Sequence, residues 1–151
     1  MCATIANRGY YYTPPLCGKS RENSLTQKYR EKHYTKADRK AYDYIVAGMR
    51  RSVLNGTCHA ANRPDYEVCG KTGTAQNHGQ DHSIFMGFAP MDNPKIAVAV
   101  YVENGGFGAV YGVPIGSLMM EQYINGKLSP ESEKKAAEFQ HRRIAYGASN
   151  R

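Results

Sequence analysis

Residues 66–103 read YEVCGKTGTAQNHGQDHSIFMGFAPMDNPKIAVAVYVE, and three runs within them have the character of strands: 66–76, 83–89 and 95–103. In the second run Ile84, Met86 and Phe88 alternate with Ser83, Phe85 and Gly87; in the third Ile96, Val98, Val100 and Val102 alternate with Ala97, Ala99 and Tyr101. Apolar residues in both alternating sets predict strands covered on both faces. Pro90-Met91-Asp92-Asn93-Pro94 is a short hairpin connection between the last two.

Helices flank this block on both sides. Residues 1–8 read as the last turns of a helix closed by Gly9, and Tyr10 to Thr13 read as an extended segment stopped by Pro14-Pro15. A chain that opens inside a helix is expected to be truncated. Between 41 and 55, Tyr42, Ile45, Val46, Met49 and Val53 form one amphipathic stripe, with Asp38 or Thr35 as N-cap and Gly56 as terminator. Asn104-Gly105-Gly106-Phe107-Gly108 predicts a flexible turn into a helix starting near Pro114. Ile115, Leu118, Met119 and Ile124 mark its buried stripe and Gly126 its end. A last helix starts at Ser129 and Pro130 and runs to about Tyr146. Helices around a short antiparallel sheet make the fold class α+β. Residues 1–128 form the main unit, and 129–151 form a tail helix.

The chain has 151 residues with 41% hydrophobic and 22% charged, which suits one domain and excludes wholesale disorder. No apolar run approaches the roughly 18 residues that span a bilayer, and no basic-then-apolar leader opens the chain, so neither a membrane segment nor a signal is expected. The net charge of +7 is uneven: residues 18–40 hold eight basic and three acidic side chains, residues 52–126 three and six. The basic stretch 18–40, with Tyr29 and Tyr34 among its cations, reads as a solvated insertion or loop rather than a nucleic-acid contact.

Chemistry concentrates at Cys69-Gly70-Lys71-Thr72-Gly73-Thr74-Ala75-Gln76. A phosphate loop would need glycine at position 65, which is Asp. The alternative is the Lys-Thr-Gly element of serine acyl-transferring enzymes. There a lysine cation holds the substrate's terminal carboxylate, threonine hydroxyls hydrogen-bond it, glycine admits a close substrate backbone, and the following N–H faces a developing oxyanion. Lys71 and Thr74 are the candidate catalytic residues; Lys71, Thr72, Gly73, Thr74 and Gln76 are the candidate substrate-binding residues. No cofactor is expected. A zinc site through Cys58, His59, Cys69, His78 and His82 lacks the spacing of structural zinc, so no metal is expected either.

Five stretches carry a wider resemblance: ATIANRG (3–9), GMRRSVLNGT (48–57), CGKTGTAQN (69–77), DHSIFMGFAPMDNPKIAVAVYVENGG (81–106) and GVPIGSLMMEQYI (112–124). In order and spacing the chain resembles the C-terminal part of the class B penicillin-binding protein 2 family, the D,D-transpeptidases of cell elongation. The resemblance implies a partial β-lactamase/transpeptidase-like fold. It also implies a parent protein anchored in the bacterial inner membrane with this domain in the periplasm, cross-linking stem peptides that end in D-Ala-D-Ala. Such a parent is inhibited by β-lactam antibiotics and works beside a Rod-complex glycosyltransferase. The family's Ser-x-x-Lys and Ser-x-Asn motifs are missing; Ser132-Glu133-Lys134-Lys135 matches the first in form only, on the charged tail. Activity of the 151 residues alone is therefore left open.

Rival readings are a serine β-lactamase or β-lactam sensor fragment, a non-catalytic stem-peptide-binding module, and an inert fragment. In an oxidising compartment Cys58 and Cys69 could pair, but buried free thiols are the expectation. In this fold family the strand at Ile96–Val102 neighbours strands from the domain's two ends, one of them upstream of Met1. The chain is accordingly expected to self-associate, most simply as a two-fold dimer that pairs this strand or exchanges a terminal element.

Overall fold

The computed structural model describes residues 1–14 and 28–144. A three-stranded antiparallel sheet lies at its centre: β3 (Cys69–Ala75), β4 (His82–Ala89) and β5 (Ile96–Val102), in the order β3-β4-β5. Ahead of it come helix α1 (Cys2–Ala6), the two-residue strands β1 (Tyr10–Tyr11) and β2 (His33–Tyr34), and helix α2 (Arg39–Asn55). Helices α3 (Gly112–Asn125) and α4 (Pro130–His141) follow. The first strand is shorter than the sequence suggests. Tyr66 and Val68 are buried in the core, yet pairing begins only at Cys69.

Strand alternation gives the sheet two packed faces. Phe85, Ala89, Val98 and Val100 belong to one cluster with Val113 and Met120 of α3 and Val53 of α2. Cys69 and Phe88 belong to the other, with Ala6 of α1 and Val46 and Met49 of α2. The second face is not covered throughout, contrary to expectation: Ala97, Ala99 and Tyr101 of β5 are exposed, Tyr101 by 56%. The five-residue α1 is too short to cover them.

Phe85 decides how α3 approaches the sheet. Its ring is fully buried, and it occupies the space that side chains would take at four glycines. A Cβ at Gly116 would lie 2.5 Å from the ring, at Gly87 2.5 Å, at Gly70 2.6 Å, and at Gly112 2.9 Å from the Phe85 Cβ. Here the sequence reading needs correcting. Val113, Gly116 and Met120 of α3 are buried, Ile115 and Ile124 of the expected stripe pack partly buried on the same core, and Met119 is 50% exposed. Apolar periodicity cannot see a glycine as a contact, and glycines make this one.

Most other expectations at the ends of helices hold. Asp38 caps α2 by accepting from the Lys40 N–H at 3.1 Å, and Gly126 ends α3 in the left-handed region. Thr35, the other candidate cap, instead bonds the Tyr42 hydroxyl at 2.7 Å. Ile45, expected in the stripe of α2, is exposed, and the buried set is Tyr42, Val46, Met49 and Val53. Within the basic stretch, the expected loop gives way at His33–Tyr34 to a strand paired with Tyr10–Tyr11. Residues 18–27 of that stretch lie outside the described residues, as do 145 and 146 of the expected tail helix. That helix ends at His141, where the Arg142 guanidinium turns over the Phe139 ring at 4.6 Å.

The tail helix is held by a buried carboxylate. Glu121, 1% exposed, sits 2.7 Å from Nη2 of Arg63, accepts the Ser129 N–H at 2.9 Å and accepts the Ser132 hydroxyl at 2.5 Å. Burial alone would push its pKa up; the Ser132 and Ser129 hydrogen bonds and Arg63 outweigh that and hold it below the ordinary value of 4.5. Ser132, formally the serine of a Ser-x-x-Lys, is thus a buried structural hydroxyl in contact with Glu121.

Two outcomes are expected in unfolding experiments. Gly116→Ala forces a methyl into the Phe85 ring and lowers stability by about 1–3 kcal/mol. Phe85→Leu in that background recovers part of the loss, and strictly additive effects in the double mutant would refute the contact. Glu121→Ala takes from Arg63 its 2.7 Å partner, leaving only Asp65 at 3.6 Å, and costs roughly 3 kcal/mol near neutral pH. Because the folded pKa is depressed, the contribution of Glu121 is complete above 4.5 and is lost as pH falls through the lower folded value. The gap between wild type and variant therefore narrows in acid, and a gap that widens there would contradict the assignment.

Candidate functional site

β3 is an edge strand, paired only with β4 among the described residues. Its register sets Lys71 opposite Met86, Thr72 opposite Phe85, Gly73 opposite Ile84 and Thr74 opposite Ser83. The side chains of Thr72 and Thr74 therefore leave on the face of Phe85, and that of Lys71 leaves on the other. The ammonium nevertheless returns to the strand edge, where Nζ donates to the Thr72 carbonyl at 2.6 Å. A carbonyl available to a side chain lies on the open edge, and by the two-residue alternation of an antiparallel ladder the N–H of Thr74 lies there too. Lys71, Thr72 and Thr74 thus converge on one unpaired edge.

The site is open and cationic. Lys71 and Thr74 are exposed, Thr72 and Gly73 half-buried. Lys71 has no carboxylate partner among the described residues, whereas Arg63, another of the three cations in residues 52–126, is paired with Glu121 and Asp65. An ammonium whose nearest partner is only its neighbour's carbonyl can exchange that contact for a charge-assisted one to an incoming carboxylate. Gln76 lies beyond the end of β3 and is exposed, outside the convergence.

Two neighbours escape a reading by motif. The Thr57 hydroxyl, just past the end of α2, is 2.7 Å from that of Thr72. Gly108 runs against the strand pair so closely that a Cβ there would lie 2.4 Å from the Ile84 carbonyl oxygen and 2.8 Å from that of Gly73. The turn at 104–108, expected to be flexible, is pinned: the Gly106 N–H donates to the Asp81 carbonyl at 2.8 Å, and the Asn104 N–H to His82 Nδ1 at 3.0 Å. The buried Ser83 hydroxyl donates to the Phe107 carbonyl and accepts from the Gly112 N–H. Thr57 closes the stretch 48–57 and was visible there; its partner could be found only in three dimensions.

Cysteine chemistry does not enter the site. Cys58 and Cys69 are buried and free, so the bridge between them is not made. Burial pushes the Cys69 thiol up to about 12 and that of Cys2 up to about 11, which keeps both protonated and unreactive. No cluster of His, Cys, Asp and Glu suited to a metal occurs among the described residues.

Comparison with known proteins points the same way. Residues 1–121 match the penicillin binding protein transpeptidase domain. The chain is 33% identical over 122 residues to the peptidoglycan D,D-transpeptidase MrdA of Haemophilus influenzae, covering 68% of this chain and 19% of that protein. To the peptidoglycan D,D-transpeptidase PbpA of Mycobacterium tuberculosis it is 32% identical over 142 residues, covering 84% and 28%. It therefore spans less than a third of these curated relatives. Among solved structures, penicillin-binding protein A of M. tuberculosis as a ceftriaxone acyl-enzyme superposes with a TM-score of 0.67 at 27% identity, covering 82% of this chain and 30% of that one. PBP2 of Pseudomonas aeruginosa gives 0.61 at 31%, covering 86% and 30%.

The close passage of Gly108 is open to test. Gly108→Ala drives a methyl into two carbonyl oxygens, and an opening of β3 from β4 is expected, with a loss of about 1–3 kcal/mol. Amide exchange along Lys71 to Thr74 should accelerate in that variant. Unchanged exchange there would mean that the turn does not support the strand.

Proposed function

Because the chain belongs to the penicillin-binding protein transpeptidase family, we propose that it supplies the carboxylate-recognition strand of a peptidoglycan D,D-transpeptidase. The observation that carries this reading is the return of the Lys71 ammonium to the open edge of β3, beside the N–H of Thr74. An extended peptide adds to such an edge as a further strand. Lys71 then takes the terminal carboxylate, the exposed Thr74 hydroxyl and the Thr57-linked Thr72 hydroxyl hydrogen-bond it, and Gly73 leaves room for the peptide backbone.

The whole reaction needs a serine that this chain does not offer. In the whole protein a serine hydroxyl, deprotonated by its lysine, attacks the carbonyl between two D-alanines. The C–N bond breaks, and the terminal D-alanine leaves with the proton as the free amino acid. An amine of a neighbouring stem then attacks the acyl ester, forming the cross-link and regenerating the serine. The Thr74 N–H faces the carbonyl oxygen as charge develops on it, and a second donor comes from the nucleophile's own segment. A β-lactam carries a carboxylate beside a strained amide and uses the same contacts.

Residues 1–128 make up this transpeptidase portion, with 129–151 appended as the tail. Family membership supports a reading in which the whole protein's catalytic domain lies in the periplasm, held by an inner-membrane anchor and working beside a glycosyltransferase of the elongation machinery. No helix among the described residues is long and apolar enough to cross a membrane.

In the whole protein Lys71→Ala should slow β-lactam acylation about 100-fold, the equivalent of roughly 2–4 kcal/mol of transition-state stabilisation, without moving the melting temperature. Thr74→Ala should be milder because its N–H survives. Residues 1–151 alone should show no adduct by mass spectrometry after incubation with penicillin. Near-normal acylation of the Lys71 variant, or a drug-mass adduct on the 151-residue chain, would overturn the proposal.

A further inference from the structure

Helix α4 adds little to the core, for Ser132 alone of its residues is buried, yet it is fastened at both ends. Its first turn is held by Glu121, near the C-terminal end of α3. Its 12 residues rise about 18 Å, nearly the length of α3, which brings its last turn back to where α3 begins. There the half-buried rings of Phe139 and Tyr111 meet edge to face, with centroids 5.8 Å apart and planes at 69°. The Arg142 guanidinium covers both, 4.6 Å from the centroid of Phe139 and 5.6 Å from that of Tyr111. Ring pairs of this geometry and a cation over them attract beyond the area they bury.

Tyr111 joins this clasp to the recognition strand. Its carbonyl accepts the Ile115 N–H at 3.1 Å, and that of Gly108 accepts the Val113 N–H at 2.9 Å, so residues 108–111 and the first turn of α3 form one piece. Gly108 is the residue pressed on the strands: a Cβ there would meet the Ile84 and Gly73 carbonyl oxygens and lie 3.0 Å from the Thr72 Cβ. Those two carbonyls belong to one hydrogen-bonded pair. The Lys95 N–H donates to the Ala89 carbonyl at 2.9 Å, so odd-numbered groups of β4 serve β5 and even-numbered ones, Ile84 included, serve β3. Ile84 faces Gly73, the residue before Thr74. The turn therefore rests on the bonds that fix the direction of the Thr74 N–H. Ser83 holds this turn from the β4 side, and the ring pair holds it from the α4 side.

We propose that α4 is a strap that positions the recognition strand: Phe139 and Arg142 hold Tyr111, and through it the turn at 108–111, against the Gly73–Ile84 pair, so that the Thr74 N–H keeps its aim. This rests on the function proposed above. Tyr111, Phe139 and Arg142 are positioning residues and touch no substrate. The Thr74 N–H acts on charge that develops only as the carbonyl is attacked, whereas Lys71 attracts the carboxylate from the start. The strap accordingly serves acylation rather than first binding.

In residues 1–151, Phe139→Leu and Tyr111→Leu should each speed amide exchange at Lys71 and Gly73, whose N–H groups face β4, about two- to tenfold, the weight of one aromatic pair, and leave the amides of α2 unchanged. In the whole protein the same variants should lower the rate constant of β-lactam acylation about three- to tenfold, short of the roughly 100-fold that a lost oxyanion donor costs, with the dissociation constant of the preceding complex unchanged. Tyr111→Phe keeps the ring and should behave as wild type in both measurements. The two leucine changes combined should cost no more than either alone, because each removes the same contact. Lys71→Ala, run in parallel, separates the strap from the function beneath it. Slow acylation by the Lys71 variant with wild-type acylation and exchange in both leucine variants would overturn the strap and leave the recognition strand standing. Wild-type acylation by the Lys71 variant would overturn both, and a Tyr111→Phe protein as slow as Tyr111→Leu would overturn the strap.

Discussion

The packing of Phe85 among Gly70, Gly87, Gly112 and Gly116 is the constraint from which the rest of the arrangement follows. A buried aromatic ring excludes water and dispersive gaps at once, but only where its neighbours give it room. Four positions without side chains provide that room, two in the sheet and two in α3. Gly70 and Gly87 face each other across β3 and β4, and Thr72 is directly opposite Phe85. The same ring therefore sets the distance of α3 and fixes the register of the strand that carries Lys71. A one-residue slip would place a side chain where the ring stands and turn the Thr72 and Thr74 side chains to the other face.

Polar groups finish what the ring begins. Interior polar atoms cost free energy unless partnered, and here the partnerships determine where the chain turns. The Ser83 hydroxyl, fully buried, bridges the Phe107 carbonyl and the Gly112 N–H and so ties the start of α3 to β4. At the far end of the same helix, Glu121 gathers Arg63, Ser129 and Ser132 and brings α4 back against the body. Helix α3 is thus aligned by glycine contacts along its length and by one polar anchor near each end.

What the amino-acid sequence discloses is what depends on local pattern. Alternation in 83–89 and 95–103, the stripe of Tyr42, Val46, Met49 and Val53, the caps at Asp38 and Ser129 and the terminator at Gly126 are all local, and the structure has them. The Lys-Thr-Gly element is legible for the same reason, since three adjacent residues on a strand carry its chemistry. Features made by distant residues were hidden. The Thr57 and Thr72 hydroxyls are fifteen positions apart, and Glu121 meets Arg63 across fifty-eight. The β1–β2 pairing joins Tyr10–Tyr11 to His33–Tyr34, with too few residues on either strand to leave a period. The buried side of α3 was read in part: Ile115 and Ile124 pack on the core, but Gly112 and Gly116, which hydropathy ranks as indifferent, make the contact with Phe85.

Among the described residues the sheet runs from β3 to β5, and these two strands are unlike in chemistry. At β3 the backbone is exposed beside a cation, two hydroxyls and a glycine, so a chain that docks there must bring an anion and a slim backbone. Under the proposed function that demand selects a peptide terminus. β5 carries alternating alanine and valine and no side chain that would hold an anion. The β4 strand between them separates the two demands: its even-numbered backbone groups serve one neighbour and its odd-numbered groups the other, with Phe85 holding both pairings at one spacing. The polar edge at β3 and the apolar pairing at β5 are thus consequences of the same three-strand ladder.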